Sequence, residues 1–306
     1  MAGIERSYGG GQFILKLDKA GACGILKSCT PGMWKSEVVE IPDATGHFKK
    51  KTIGLAKLEP FQCEIGIQSA GKPLQNWFDD AVNFKTSRSG GSLLRADFDN
   101  KIKAEITFTE ALPTSIETPA CDAASKENGL LKFAFQTEDC ATKAASGDLE
   151  KGLVDSHQKQ WMTHNFRLGI DGMTEGTKAV SKVGALTFKM EVTWDSVGHR
   201  RKYDLIPASM SFGDLEVTFS ERDAANWLDW YEKFIILGQT QEDQGEKTGS
   251  LEYLNPALDK SLLTVNFENL GLYSLSVAKD DKDSGKTVRS MVAKIYCERW
   301  KYAWGG

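Results

Sequence analysis

Two stretches follow one plan: FQCEIGIQSAGKPLQNWFDDAVNF at residues 61–84 and GDLEVTFSERDAANWLDWYEKF at residues 213–234. Each is typical of a strand, a short turn and a helix. In the first strand Cys63, Ile65 and Ile67 alternate with polar residues, which is the period of a strand with one buried face. In the helix, the motif NWFD at 76–79 matches NWLD at 226–229. This match predicts that the chain is a tandem duplication.

The similarity continues on both sides of this pair. Four further segments recur with the same alternation of apolar and polar residues: 13–17 with 166–170, 34–38 with 188–192, 104–108 with 263–267, and 131–135 with 291–295. The spacing between partners changes only where polar loops are predicted, as expected for insertions and deletions in loops. We therefore expect domain 1 at 1–141, a linker at 142–163 and domain 2 at 164–306.

The order of the predicted elements indicates the fold class. Strands follow one another without crossover helices, which excludes a doubly wound parallel fold. Each repeat is predicted to be mainly β with one helix that covers one opening or face. We expect two tandem antiparallel domains of β-barrel or β-sandwich type.

Composition narrows the function classes. The 306 residues suit two domains of about 150 residues each. The net charge of -4 does not favour a nucleic-acid surface. No run of about 20 apolar residues is present, so membrane insertion is not expected. The first residues lack the apolar core of a secretory signal. The six cysteines lack zinc-site spacing and are predicted to be reduced thiols of a protein made in the cytoplasm.

A search for chemistry finds no catalytic, metal or cofactor site. The four histidines lie in predicted loops and the linker, and no nucleophile, phosphate-loop or zinc motif is present. Glu64 and Glu216 recur, but the polar face of a strand favours a solvated or interface carboxylate over acid–base work. Trp77 and Trp227 have the helical spacing of core residues, which favours packing over a sugar-binding platform. We expect no enzyme activity.

Two features remain to be explained. The repeated strands have one polar face, and the edges of open antiparallel sheets must be covered, charged or paired. Copies that pair edge to edge around a ring leave no free edge and turn polar faces to a central channel. The candidate channel-facing residues are Gln62, Glu64, Gln68, Asp214 and Glu216.

Each half also carries a basic segment at the same place. A solvated loop is one interpretation, and an arm that contacts a neighbouring subunit is the other. The candidate contact residues are Lys49, Lys50, Lys51, His199, Arg200, Arg201 and Lys202.

At this point the chain resembles a known family. GQFILKLDKAGACGILKS at 11–28, KKKTIGLAKLEPFQCEIG at 49–66 and the NWFD helix look like inner-tube proteins of contractile phage tails and injection systems. The hemolysin-coregulated tube protein of type VI secretion is a more distant relative. The resemblance covers most of 10–140 and, more weakly, 165–300. It implies a β-barrel-like domain that forms six-membered rings, which stack into a tube. By position, the basic segments would reach the neighbouring ring or subunit, and strands 61–68 and 213–220 would contribute to the channel wall.

One departure changes the expected assembly. Members of that family usually have one such domain, whereas two are predicted here. Three chains would then form a pseudo-hexameric ring, which we favour over six chains that each span two stacked layers. The expected role is an inner-tube segment or tube-initiating hub ring of a phage tail or contractile injection system. It would be assembled into a virion or particle, contact tube, sheath or baseplate proteins, and pass DNA or protein cargo. The alternative is a two-domain β-sandwich protein that binds carbohydrate or a surface.

Overall fold

The computed structural model describes residues 11–18, 20–42, 48–149, 160–195, 203–240, 245–278 and 289–305. Its first half contains β1 (Gln12–Leu17), β2 (Gly21–Leu26), β3 (Ser28–Thr30), β4 (Trp34–Pro42), β5 (Lys49–Leu58), β6 (Phe61–Gly66), α1 (Lys72–Val82), β7 (Ser89–Ala96), β8 (Lys101–Thr118), β9 (Cys121–Asp122), β10 (Leu130–Gln136) and β11 (Asp139–Asp148). Its second half contains β12 (Phe166–Ile170), α2 (Thr174–Lys178), β13 (Val180–Val183), β14 (Leu186–Asp195), β15 (Asp204–Phe212), β16 (Leu215–Ser220), α3 (Ala225–Tyr231), β17 (Lys247–Leu254), β18 (Ser261–Val277) and β19 (Ser290–Trp304). The chain is mainly β with antiparallel pairing, as the sequence predicts.

The sheet of the first half curls on itself. Its strand order is β2-β1-β7-β8-β10-β6-β3. The two outermost strands, β2 and β3, are joined by Lys27 alone, whose amide donates to the carbonyl of Glu64 at 2.8 Å. Because consecutive residues stand at both ends of the sheet, the sheet must bend into a barrel-like shape.

The second half pairs its strands in the same order, β12-β17-β18-β19-β16-β13. The register irregularities recur as well. The β7–β8 ladder shifts between Ser89 and Gly91, and the β17–β18 ladder shifts between Lys247 and Gly249. One element differs, because the helix α2 stands where the first half has the strand β2. The second half therefore has the five-residue helix α2 in addition to α3, the helix that the sequence predicts.

The helix α1 packs its apolar face onto the sheet. It starts after Gly71 with a proline in its first turn, where the missing amide is harmless. Its buried residues fall at helical spacing: Leu74, Trp77, Phe78, Ala81 and Val82. Phe84, with φ 60°, lies just beyond the end of the helix. Trp77 and Trp227 are both buried, so the prediction that they pack in the core is confirmed.

The NWFD and NWLD motifs lie one helical turn out of structural register. The Trp77 indole donates to the carbonyl of Ser87 at 3.0 Å, two residues before β7. Trp230, not Trp227, makes the corresponding bond, to Gly245 at 3.0 Å, two residues before β17. Trp227 donates instead to Gly176 of α2 at 3.1 Å. Because helix faces repeat every three to four residues, a motif shifted by one turn still buries the same face.

A smaller shift affects the central strands. The ladders place Gln62 opposite Ala134, and Glu216 opposite Lys294 at the same position of the second half. Glu216 therefore corresponds to Gln62 rather than to Glu64. The predicted recurrence of Glu64 as Glu216 is wrong by two residues, which keeps both on the polar face because strand faces repeat every two residues.

The two halves share one hydrophobic core. A contiguous cluster of buried side chains runs from Leu15 in β1 to Tyr302 in β19. Trp161, inside the predicted linker, is fully buried. The centre of its ring lies 5.1 Å from the centre of the Tyr253 ring. Residues 142–148, also predicted as linker, form the end of β11 and pair with β8. Described residues of the predicted linker therefore take part in β11 and in the core.

Candidate assembly interface

The two halves meet strand against strand. Residues Leu186–Lys189 of β14 pair antiparallel with Ser115–Thr118 of β8, which places Phe188 opposite Ile116. Phe188 is fully buried. The other side of this part of β8 is occupied by β10. The sheet of the first half therefore continues into the hairpin β14–β15 of the second.

A charged cluster closes this junction. The Arg88 guanidinium lies 2.7 Å from the Glu138 carboxylate, and the amide of Leu205 donates to the same carboxylate at 2.9 Å. Arg88 also donates to the carbonyl of Leu205. The Glu138 side chain is 17% exposed and Leu205 is fully buried. The bonds are thus partly shielded from water, which makes them stronger than a surface ion pair.

The end of α1 forms a second contact between the halves. Arg299 donates to the side-chain carbonyl of Asn83 at 2.9 Å and lies 5.1 Å from the centre of the Phe84 ring. The Trp304 indole donates to Asp79 at 3.1 Å. Burial raises the pKa of the Asp79 carboxyl, an effect that the bond from Trp304 opposes in part.

The hairpin β4–β5 matches β14–β15 but has no such junction. Trp34 lies opposite Leu58 as Phe188 lies opposite Phe212, and each ladder has its bulge two residues further on. Among the described residues, β4 and β5 pair only with each other. Their apolar side chains are exposed, including Val38 at 63%, Ile53 at 70% and Leu55 at 67%. An exposed apolar surface of this kind indicates a binding partner.

The strand β18 has an edge that matches the occupied edge of β8. Its residues Gly271–Val277 pair with β19, as the end of β8 pairs with β10. On the opposite side, β17 reaches only as far as Leu270. Within the part of the chain that the structure describes, no strand pairs with the rest of this edge, and Tyr273 and Val277 are exposed. The hairpin β4–β5 and this edge of β18 are thus both unpaired among the described residues.

Three of the candidate channel-facing residues, Gln62, Glu64 and Glu216, lie on the polar faces of the sheets. The other two, Gln68 and Asp214, lie outside the strands, which are shorter than predicted. Gln62 is exposed, and Glu64 accepts a hydrogen bond from Ser28 at 2.8 Å. Glu216 lies 3.7 Å from Lys294. Gln68 falls in the 3₁₀ turn Ile67–Ser69, and Asp214 precedes β16 and accepts from the Tyr273 hydroxyl at 2.8 Å.

The surroundings of these carboxylates are those of a solvated sheet face. A shallow groove of about 430 Å³ beside Glu64 is lined by short polar residues and by Lys132, which pairs with Glu117 at 3.1 Å. Glu64 and Glu216 lie in different sheets, on β6 and β16.

The first basic segment is strand rather than loop. Lys49, Lys50 and Lys51 open β5 at the far end of the hairpin. Lys49 and Lys51 lie 2.8 and 3.6 Å from the carboxylate of Glu40 on β4. A cross-strand pair of this kind explains why a polar run extends the strand. The second segment, His199, Arg200, Arg201 and Lys202, lies outside the described residues.

The described residues can also be compared with what a metal site, a membrane-spanning helix or a disulfide requires. They contain no group of three or more His, Cys, Asp or Glu side chains placed to hold a metal ion. None of the helices described is long and apolar enough to cross a membrane. All six cysteines are free, and the Cys29 and Cys63 sulfurs lie 3.1 Å apart across β3 and β6.

Sequence reasoning missed the residues that make the junction. Arg88, Glu138 and Leu205 are far apart in the chain, and only the pairing of β14 with β8 brings them together. One signal was present. Residues 33–58 have apolar side chains at both odd and even positions, so that both faces of the hairpin are apolar. A hairpin with a single buried face would need them on one face only.

Similarity to known proteins is found among solved structures. No protein-family model matches the chain. No curated protein matches it either. Among solved structures it is similar to the tube-terminating cap of the anti-feeding prophage, with 16% identity and a TM-score of 0.41 over 47% of this chain and 96% of that one.

A second similar structure is the sheath-tube complex of the PVC extracellular contractile injection system, with 15% identity, a TM-score of 0.40 and coverage of 46% and 95%. A third is Hcp1 from Flavobacterium johnsoniae, with 15% identity, a TM-score of 0.29 and coverage of 45% and 99%. The chain is therefore similar, over slightly less than half its length, to components of contractile injection systems and to Hcp1.

Proposed function

We propose that this chain is a structural subunit that assembles into a closed ring around a channel, as an inner-tube segment or tube-initiating hub of a contractile injection system or phage tail. The observation that carries the proposal is the junction between β8 and β14. There one half adds its hairpin to the sheet of the other, whereas the hairpin β4–β5 and the matching edge of β18 make no such contact within the residues that the structure describes. Neighbouring copies are the natural source of both.

The proposal includes a tandem duplication. The common strand order, the matching bulges and the two hairpins in one register support descent of both halves from one ancestral unit. Three chains then supply six similar units. We favour this three-chain ring over six chains, because α2 replaces β2 in one half only, and such divergence suits positions that alternate around a ring.

The polar sheet faces would line the channel. Gln62, Glu64 and Glu216 lie on strands whose opposite faces are buried, so their own faces are free for solvent. Gln68 and Asp214 would lie at the ends of these strands. A channel wall of this kind carries mixed charge and would let cargo pass without specific binding.

The junction also supports a structural rather than a catalytic role. The charged residues that the structure brings together, Arg88 and Glu138, bind backbone and hold two halves in place. The alternative of a carbohydrate-binding protein draws no support from Trp77 and Trp227, because both rings are buried in the core.

Imaging of the purified full chain tests the proposal. Negative-stain electron microscopy should show discrete rings or short tubes, with threefold symmetry and six similar lobes. Analytical ultracentrifugation in the micromolar range should show the same species in solution. A monodisperse monomer across this range would overturn the proposal.

A further inference from the structure

The unpaired hairpin and the unpaired edge correspond, position by position, to the junction formed inside the chain. At that junction Leu186–Lys189 lie opposite Ser115–Thr118. The matching positions of the first hairpin are 32–35, since Trp34 is opposite Leu58 as Phe188 is opposite Phe212.

The matching positions on the receiving strand follow from its other ladder. Ser115 is opposite Ala134 directly after a bulge in β8, and Ser274 is opposite Lys294 directly after the equivalent bulge in β18. The β8 segment 115–118 therefore corresponds to Ser274–Val277 of β18. This is the part of β18 that has an unpaired edge.

We propose that the hairpin β4–β5 of one chain pairs with Ser274–Val277 of β18 in a second copy, with Trp34 opposite Leu275. The inference rests on the proposed ring and names its contact. It continues the interface already present within the chain. Pairing covers the exposed apolar hairpin and the free edge at once. The contact is head-to-tail, the kind that generates a ring when its rotation closes.

The charges at the two contacts are complementary in different ways. At the internal junction Arg88 and Glu138 of the receiving sheet bond to the carbonyl and the amide of Leu205 on the hairpin, and the apolar side chain of Leu205 is buried. The matching positions of the second half are Glu246, one residue before β17, and Glu298 on β19. At the position of Arg88 in the first half, the second half therefore has the carboxylate of Glu246 in place of a cation.

The hairpin β4–β5 differs from β14–β15 in the opposite sense, because it has a cation where β14–β15 has an apolar residue. Glu40 is opposite Lys51 as Trp194 is opposite Leu205, so Lys51 takes the place of the buried leucine. Its side chain is 67% exposed in the single chain. Docked, Lys51 would face two carboxylates that are already held in place: Glu246 accepts from Tyr296 at 2.6 Å, and Glu298 accepts from Asn269 at 2.7 Å. The charges of the hairpin and of the receiving sheet in a second copy are thus complementary.

Disulfide trapping tests the register. Met33 and Ser276 are directly opposed in the proposed contact, as Thr187 and Glu117 are opposed within the chain. In the full chain, Met33→Cys with Ser276→Cys should give, on mild oxidation, reducible crosslinked dimers and trimers. Thr187→Cys with Glu117→Cys is the matched control and should crosslink without raising the mass. Met33→Cys with Ser261→Cys, at the far end of β18, and the unaltered chain with its six cysteines should give no ladder.

Charge reversal tests the same contact without cysteine. Lys51→Glu and Glu246→Lys should each weaken association about tenfold or more, and the double variant should recover most of the loss. Circular dichroism checks that each variant is folded. Rings that persist without the Met33–Ser276 crosslink, or without charge rescue, would overturn the hairpin contact and leave the ring standing. A chain that stays monomeric throughout would overturn both.

Discussion

Asp79 and Trp304 show at the scale of single residues how the two halves are held together. The carboxylate lies at the meeting point of α1 and β19, where it is partly buried and accepts a bond from the indole. Burial penalises its charge more than this bond favours it, so its pKa is raised. Such a carboxylate is a local weakness of the folded state at neutral pH.

Asp79→Asn should remove that weakness and keep the acceptor for Trp304. The unfolded carboxyl has a pKa of about 3.9, and the folded one has a higher pKa. Its contribution to stability is therefore complete below the unfolded pKa and is lost as pH rises through the folded pKa. Urea unfolding at several pH values should show a flatter profile for the variant across that window. At pH 7 the variant should be equally stable or more stable, by less than about 1 kcal/mol, because the site is half exposed. Asp80→Asn is the control, and a clear loss of stability in Asp79→Asn at pH 7 would contradict the account.

Trp161→Ala should be among the most damaging single changes. The ring is fully buried between the halves, and its indole donates to the carbonyl of Asn165 at 3.0 Å. Deleting it leaves a large cavity and should cost about 3–5 kcal/mol in the free energy of unfolding. Phe98→Ala, which removes an aromatic side chain that is 77% exposed, should change this free energy by less than about 0.5 kcal/mol. Similar costs for both variants would show that the predicted linker does not help to form the core.

At the scale of elements, the hairpin β14–β15 is held by its pairing with β8 and by one half-buried charged cluster. Arg88→Ala leaves Glu138 without its cation and the carbonyl of Leu205 without its donor. The loss should be about 1–3 kcal/mol, and limited proteolysis should cut within the hairpin sooner. Arg167→Ala is the matched control, because Arg167 pairs with Glu252 at a side-chain exposure of 64%. Equal protease resistance of Arg88→Ala and the unaltered chain would contradict this role.

The elements also show how far sequence reasoning reaches. The strand at Phe61–Gly66 and the buried face of α1 follow from local periodicity, so they could be predicted. The register of α3 against α1 could not, because a motif shifted by one turn buries the same face, and only the bond from Trp230 to Gly245 decides between the two registers. The helix α2 was missed because its five residues are too short for a periodic signal.

For the candidate interface, the sequence predicts the type of contact but not the strands that make it. Alternating polar residues such as Gln62 and Glu216 indicate a wet sheet face, and open edges indicate pairing. Which edges stay open is a property of the whole sheet. It depends on β8 accepting β14 through Ser115–Thr118, which no local pattern in either segment indicates.

At the scale of the whole molecule, the proposed subunit has two unlike ends. The hairpin β4–β5 extends from one half, and the free edge of β18 belongs to the other. The contact inside the chain cannot dissociate, whereas the contact between chains depends on concentration. High salt should weaken assembly, because the contact between chains pairs Lys51 with Glu246 and Glu298.

The mass of the assembly in solution tests this account most directly. Native mass spectrometry of the full chain at low micromolar concentration should show a main species of three times 33.8 kDa. A single species of 33.8 kDa at every concentration would contradict it.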